Sequence, residues 1–267
     1  MNPETKKKKV HALVVSQSEI SPGIFDLRLQ CALAYDARPG TFVGVYIPGN
    51  DLLLPRPVSI CDASGDMLRL VYRVAGDGTG RLSALSENDS VDLIGILGNG
   101  FPLDKAAGRD VVLLGGGIGI PPMVYLMRVL GRDLSGTPGA PRSVCAVLGY
   151  RNADAFLSAE CAAYGKTLIA TEDGSRGIRG TVLDALKKEK IAADMICSCG
   201  PKPMLSAVKK AAPAGEIYLS LEERMACGVG VCLGCVCETA DTDPHSMVHN
   251  ARVCTEGPVF EASRVIL

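Results

Sequence analysis

The chain has 267 residues, 21% of them charged, with a net charge of −1. That length suits about two domains. A near-neutral balance with 4% aromatics and no Trp argues against nucleic-acid binding through basic patches or stacking platforms. No stretch reaches the ~18 uninterrupted apolar residues of a membrane-spanning helix, and Ala12-Leu-Val-Val15 is too short for the apolar core of a signal peptide. The Lys6 to Lys9 run reads as a solvated tail leading into a first strand. Among the eleven Cys, Cys31, Cys61, Cys145 and Cys161 stand alone in apolar runs, as small core thiols do in a reducing, cytoplasmic compartment.

From His11 to about residue 105 short β-rich runs alternate with turns. Ile24 to Leu29, Thr41 to Ile47, Met67 to Val74 and Ser90 to Ile94 are the clearest strands, and a small antiparallel β-barrel is expected. A short helix is expected near Gly80 to Ser86. Two segments carry chemistry. In Arg56-Pro57-Val58-Ser59 the proline holds Arg56 extended, leaving a guanidinium and a hydroxyl for phosphate and a flavin edge. In Tyr72-Arg73-Val74-Ala-Gly76-Asp-Gly78-Thr79-Gly80 three glycines and a hydroxyl precede a helix, a diphosphate cradle. Singly, each also occurs in many β proteins.

The character changes at residues 105–109. Asp110 to Leu114 is a continuous apolar run, as for a strand buried on both faces. It leads into Gly115-Gly116-Gly117-Ile-Gly119-Ile-Pro-Pro122 and a helix over Met123 to Leu130, the strand–turn–helix layout that holds phosphate, though not the G-x-G-x-x-G fingerprint. Strands at Ser143 to Leu148, Thr167 to Ala170 and Met195 to Cys199 alternate with helices at Ala153 to Tyr164, Thr181 to Lys190 and Met204 to Ala212. Glu216 to Ser220 is expected to close the sheet. This is a doubly wound parallel α/β domain. Ligands of such sheets sit at the strands' carboxyl ends, so Gly119 and Cys199-Gly200-Pro201 are expected at one cleft. Glu172 and Asp173 are acidic where a 2′-phosphate would want a cation, with Arg151, Arg176 and Arg179 close in sequence. The expected boundaries are 1–105, 106–220 and 221–267.

The last segment holds Cys227, Cys232 and Cys235 at C-x4-C-x2-C spacing, then Cys254. That is the plant-type spacing for a [2Fe-2S] cluster. Gly228, Gly230 and Gly234 allow the positive φ a wrapping loop needs. Zinc usually takes two short knuckles instead, and a disulfide set fits less well than zinc. Cys237, two residues after Cys235, reads as a buried or neighbouring thiol, with a spare ligand as the alternative. His245 and His249 read as surface-loop residues, and Glu222 and Glu223 as a solvated helix start beside the cluster loop.

Arg56-Pro-Val-Ser59, Gly115 to Pro122 and Cys199-Gly-Pro-Lys-Pro-Met204 resemble the ferredoxin–NADP reductase family. With Ser220 to Cys232 and Val253 to Phe260 added, the chain resembles the electron-transfer subunits of the NAD-dependent (class 1B) dihydroorotate dehydrogenases. The resemblance implies an FAD-binding barrel, a nicotinamide-binding domain and a [2Fe-2S] segment. FAD would be held by Arg56, Pro57, Val58, Ser59, Val71, Tyr72, Arg73, Gly78 and Thr79. NAD would lie on Gly115, Gly116, Gly117, Gly119, Cys199, Gly200 and Pro201, with Cys199 a soft wall near the transferring carbon. Cys227, Cys232, Cys235 and Cys254 would ligate the cluster.

It also implies a partner, an FMN-containing catalytic subunit that oxidises dihydroorotate, assembled as two of each subunit, with electrons passing from partner to cluster to FAD to NAD+. A reductase subunit serving a hydrogenase, polysulfide system or ferredoxin is the alternative within enzymes. A colourless, zinc-stabilised interaction protein is the alternative outside them.

Overall fold

The computed structural model describes residues 7–47, 49, 52–242 and 247–267. The first half alternates inward apolar and outward polar side chains at the two-residue period of a pleated strand. β1 (Lys8–Ser21), β2 (Ile24–Gln30), β3 (Phe42–Tyr46), β4 (Arg56–Ser64), β5 (Met67–Arg73) and β6 (Ser90–Leu97) close an antiparallel barrel in the order β1-β2-β5-β4-β3-β6. Closure leaves no free edge, and Leu27, Leu29, Ile60, Leu68, Leu70 and Leu93 fill the interior.

The lysine run differs from expectation. Its described part joins β1, because the ladder with β6 extends to Lys8 opposite Gly95. Lys9 pairs with Asp92 at 2.9 Å, and Lys7 Nζ donates to the Val229 carbonyl at 3.2 Å. The helix α1 (Asp77–Leu82) starts ahead of Gly80, because the Thr79 hydroxyl accepts the N–H groups of Ala75 and Gly76 at 2.8 and 3.2 Å.

The second unit comprises β7 (Asp110–Gly116), α2 (Ile120–Arg128), β8 (Ser143–Tyr150), α3 (Ser158–Ala162), β9 (Lys166–Thr171), β10 (Ile178–Arg179), α4 (Val182–Lys188), β11 (Met195–Cys199), α5 (Lys202–Ala211) and β12 (Glu216–Ser220). α2 and α3 cover one face through Met123, Met127 and Cys161; α4 and α5 cover the other through Val182, Leu186, Leu205 and Val208. This is the doubly wound arrangement.

Two expectations are corrected. The helix over Ala153 to Tyr164 is confined to Ser158–Ala162. Asp154 donates its N–H to the Asn152 side chain at 3.0 Å, and Leu157 adopts φ 60°, so the preceding residues turn rather than coil. Nor is β12 the edge of the sheet. The C-terminal segment adds β13 (Val236–Glu238), β14 (Asn250–Arg252) and β15 (Val259–Glu261), and β15 pairs antiparallel with β12 outside it.

Two arginines tie the barrel to the α/β unit. Arg128, buried on α2, reaches Asp62 at 2.7 Å and the Ala63 carbonyl at 2.9 Å. Arg69 on β5 bonds Asp26 at 2.8 Å and Glu160 of α3 at 2.6 Å. Removing one partner of a buried pair leaves an uncompensated charge. Asp26→Ala is therefore expected to destabilise the protein by about 3 kcal/mol, read as a lower urea midpoint at unchanged slope.

At the amino end of β12 Glu216 bonds Arg109 at 2.8 Å and the Tyr218 hydroxyl at 2.8 Å. Arg109 and Tyr218 hold its carboxyl at about 2, below the ordinary 4.5. This stabilisation is complete above the ordinary value and is lost as pH falls toward the depressed one. Thermal unfolding of the wild type and Glu216→Gln should therefore converge as pH drops from about 4.5 to about 2. Because the pair is partly exposed, added salt should narrow the gap at neutral pH.

Candidate functional site

The pleat of β4 and β5 divides the first motif between two faces. Pro57, Ser59, Val71 and Arg73 lie on the outer side, while Val58 and Tyr72 turn into the barrel. Tyr72 stacks on Phe25 with ring centroids 5.9 Å apart and donates its hydroxyl to Gln17 at 2.9 Å. Val58 and Tyr72 thus offer a ligand on the outer strip only their backbone. The Arg56 side chain folds over Gly78, where a Cβ would bring its guanidinium carbon within 2.9 Å, and it donates to the Leu54 carbonyl. The two candidate segments of the barrel therefore meet.

In the α/β unit the chain runs from β7 outward to β8 and β9, then returns to place β11 and β12 on the other side of β7. The crevice at the carboxyl ends of β7 and β11 is the topological switch point, where such sheets bind ligands. Gly115 stands opposite Cys199 in the parallel ladder. Gly119 lies against the Cys199–Gly200 peptide so closely that a Cβ would sit 2.5 Å from the Gly200 nitrogen. Gly117 takes φ +52°, and Arg73 from the barrel comes within 3.6 Å of the place its Cβ would occupy. Gly116 faces Pro201 and Met204. Arg73 of the outer barrel strip, the Gly-rich turn and Cys199-Gly200-Pro201 thus adjoin one another.

Cys199 is half-buried. Burial pushes its thiol up to about 12 against a hydrogen bond with Ser220 that acts the other way. At neutral pH it is a protonated, polarizable wall, and neither a nucleophile nor a base. Glu172 and Asp173 follow β9 and are exposed, and the Asp173 carboxylate accepts from the Ser175 backbone and hydroxyl at 2.9 and 2.6 Å. Arg151, Arg176 and Arg179 are also exposed.

The cysteine loop brings four thiols together in two pairs. Cys227 stands beside Cys232, and Cys254 beside Cys235 and near enough to feel Cys227. Backbone N–H groups aim at the sulfurs: Val229 and Cys232 donate to Cys227 Sγ, and Gly234 to Cys232 Sγ, each at 3.4 Å. Burial opposes charge on Cys227, but these N–H groups outweigh it and hold the thiol at about 6. Burial and the Cys235 thiol push Cys254 up to about 12.

Among the described residues no three His, Cys, Asp or Glu converge on one metal ion. Gly228 and Gly230 adopt φ +66° and +87°, whereas Leu233 rather than Gly234 takes the remaining left-handed position, at φ +55°. Gly234 instead leaves room for Cys232 Sγ, 3.4 Å from where its Cβ would stand. Cys237 is buried on β13 opposite Ala251. His249 is exposed, and His245 lies outside the described residues. The barrel's part in this site, Phe42 and Leu97 packed in one core with Cys235 and Cys254, has no signal in the sequence, because both residues simply fit the barrel's alternation.

The family model for the iron-sulfur cluster binding domain of dihydroorotate dehydrogenase B matches residues 222–266, and that for the oxidoreductase NAD-binding domain matches residues 113–210. A protein of Listeria monocytogenes serotype 4a (strain HCC23), the electron transfer subunit of dihydroorotate dehydrogenase B (NAD(+)), is 45% identical over 258 residues, 95% of this chain and 97% of its own. The chain belongs to that family. The Geobacillus sp. (strain WCH70) electron transfer subunit is 41% identical over 97% of this chain and 99% of its own.

Among solved structures, an NADH-dependent reduced ferredoxin-NADP oxidoreductase matches with a TM-score of 0.82 at 25% identity, over 96% of this chain and 89% of that one. The ferredoxin NADP+ reductase of Neisseria gonorrhoeae shares the fold, with a TM-score of 0.66 at 15% identity over 79% of this chain and 93% of that one. Within the family, no described helix of this chain is long and apolar enough to cross a membrane.

Proposed function

We propose that this subunit takes electrons from a dihydroorotate-oxidising, FMN-containing catalytic subunit and delivers them as hydride to NAD+, with two copies of each subunit in the assembly. When bound, a flavin exchanges single electrons for a hydride, and a [2Fe-2S] cluster carries electrons singly. The chain's own residues supply placement. Arg56, folded over Gly78 and beside Thr79, offers charge and backbone to a diphosphate. Ser59 and Arg73 present an outer strip to the isoalloxazine, Val71 is buried against the α/β unit and offers it only backbone, and Pro57, Val58 and Tyr72 keep that strip in register. Gly115, Gly116, Gly117 and Gly119 leave the crevice open to the dinucleotide, and Gly200 and Pro201 form its opposite wall. Cys199 excludes water there as a neutral thiol.

Cys227, Cys232, Cys235 and Cys254 would hold the cluster. The observation that carries this reading is their gathering in one loop, with backbone N–H groups donating to the Cys227 and Cys232 sulfurs, the surroundings a thiolate-ligated cluster needs. Val231 and Leu233, 81% and 61% exposed, flank Cys232. Apolar side chains left in solvent at a point of electron entry suit a partner interface. The eleven free thiols suit the reducing cytoplasm.

Visible and EPR spectroscopy of the full chain, with iron and flavin analysis, tests the proposal. A brown-yellow protein with FAD and about two irons per chain is expected. Zinc without flavin would overturn it. NAD+ reduction coupled to dihydroorotate oxidation, on mixing with the catalytic subunit, separates this role from service to a hydrogenase, polysulfide or ferredoxin acceptor.

A further inference from the structure

The cluster loop and the outer strip of the barrel are joined by a continuous row of backbone. Ser59 on β4 stands opposite Phe42 on β3, and Phe42 opposite Leu97 on β6. Leu97 then meets the cluster loop itself, its Cδ1 lying 3.3 Å from where a Cβ on Gly228 would stand. Immediately beyond, the chain grips the segment that follows Cys254. The Asn99 N–H donates to the Gly257 carbonyl at 2.8 Å. Its side-chain amide donates to the carbonyls of Glu256 and Val259 at 3.0 and 2.7 Å, and its Oδ1 accepts the Val259 N–H at 3.1 Å. Gly98 takes φ +82° and is pressed against Pro258.

The gripped segment is stiff in its own right. Arg252 bonds the Glu256 carboxylate at 3.0 Å and the Gly230 carbonyl at 3.3 Å, and Val253 N–H reaches the Cys235 carbonyl at 2.9 Å. The loop is thus a locked unit, and Asn99 fastens it to the barrel.

We propose that Asn99 is a positioning residue for electron transfer, fixing the separation between the cysteine loop and the Ser59 strip. The inference rests on the proposed function, which places flavin on that strip and the cluster on those thiols. Asn99 touches neither group. Every polar atom of its side chain is directed to residues 256–259, so its loss frees the loop without altering a ligand. With NADH as the donor, the reverse of the proposed flow, the reduced flavin would give up one electron and one ferric iron of the cluster would become ferrous.

The test uses the loaded full-length protein mixed rapidly with NADH. Flavin bleaching reports hydride transfer, freeze-quenched EPR reports cluster reduction, and amide hydrogen exchange follows residues 256–260. For Asn99→Ala the expected result is unchanged flavin bleaching and a full EPR signal on complete reduction. Cluster reduction should lag several-fold behind the wild type, with faster exchange across 256–260. Asn99→Asp keeps the acceptor for Val259 and removes both donors, so the same lag is expected there even if the alanine variant fails to retain its cluster. Cluster reduction at the wild-type rate in Asn99→Asp, or exchange unchanged at 256–260, overturns the proposal. A wild-type protein lacking flavin or cluster would instead overturn the proposed function.

Discussion

Gly119→Ala is expected to abolish reduction of the flavin by NADH while leaving flavin content and the cluster's EPR signal at wild-type levels. The reason is steric and not conformational, since Gly119 has φ −80°, open to any residue. A Cβ there would sit 2.5 Å from both the Cys199 carbonyl carbon and the Gly200 nitrogen. These are backbone atoms at the end of a central strand, so no rotamer change relieves the contact. Either the turn or the end of β11 must move, at a cost of about 1–3 kcal/mol. Both are walls of the crevice. Misplacing reacting groups by about 1 Å costs on the order of 100-fold in rate, and the expected loss in stopped-flow flavin reduction is at least that large. Gly139→Ala is the control: only Thr137 comes within 4 Å of its Cβ position, and its rate should match the wild type. If Gly119→Ala reduces flavin at the wild-type rate, the nicotinamide does not bind between β7 and β11.

What the sequence discloses about this molecule is set by how local the determining forces are. The Gly-rich turn, the strand before it and the proline at the head of α2 are fixed by neighbours a few residues away, and they can be read directly. The meeting of Gly119 with Cys199 follows from a general rule about parallel sheets, so it too is foreseeable.

The pleat of β4 and β5 is different. Which of Val71 and Tyr72 faces out depends on register with β2 and β4, and a one-residue slip would exchange them. Nothing in Val-Tyr-Arg fixes that register. The attachment of β15 to β12 and the grip of Asn99 on residues 256–259 are likewise contacts between distant segments. An exposed asparagine after a strand reads as an ordinary turn residue. The truncated helix at Ser158 turns on a local competitor, an Asx turn at Asn152, that periodicity cannot register.

Cys254→Ser should eliminate the cluster, and Cys237→Ala should preserve it. Both thiols are buried, Cys237 on β13 and Cys254 in the turn after β14, so exposure does not separate them. Their surroundings do. Cys254 is fully buried, beside Cys235 and within reach of Cys227, whereas Cys237 packs opposite Ala251. Burial and the adjacent Cys235 thiol hold the Cys254 proton up to about 12, so the unmetallated Cys254 thiol resists ionisation. Ligation by iron supplies the compensating charge and displaces protons.

A serine at 254 is a harder, less acidic ligand in a dry site, and three thiolates leave one iron short of its set. The expected product lacks the EPR signal, holds little iron and keeps its flavin. It should still oxidise NADH with a two-electron artificial acceptor, because the proposed hydride transfer uses the crevice between β7 and β11 and none of the cluster thiols. Cys237→Ala removes one buried sulfur, a loss of about 1 kcal/mol, and should retain full iron. The converse pattern, iron lost from the position-237 variant and kept in the position-254 variant, would move the fourth ligand onto β13 and require a cluster turned toward Ala251.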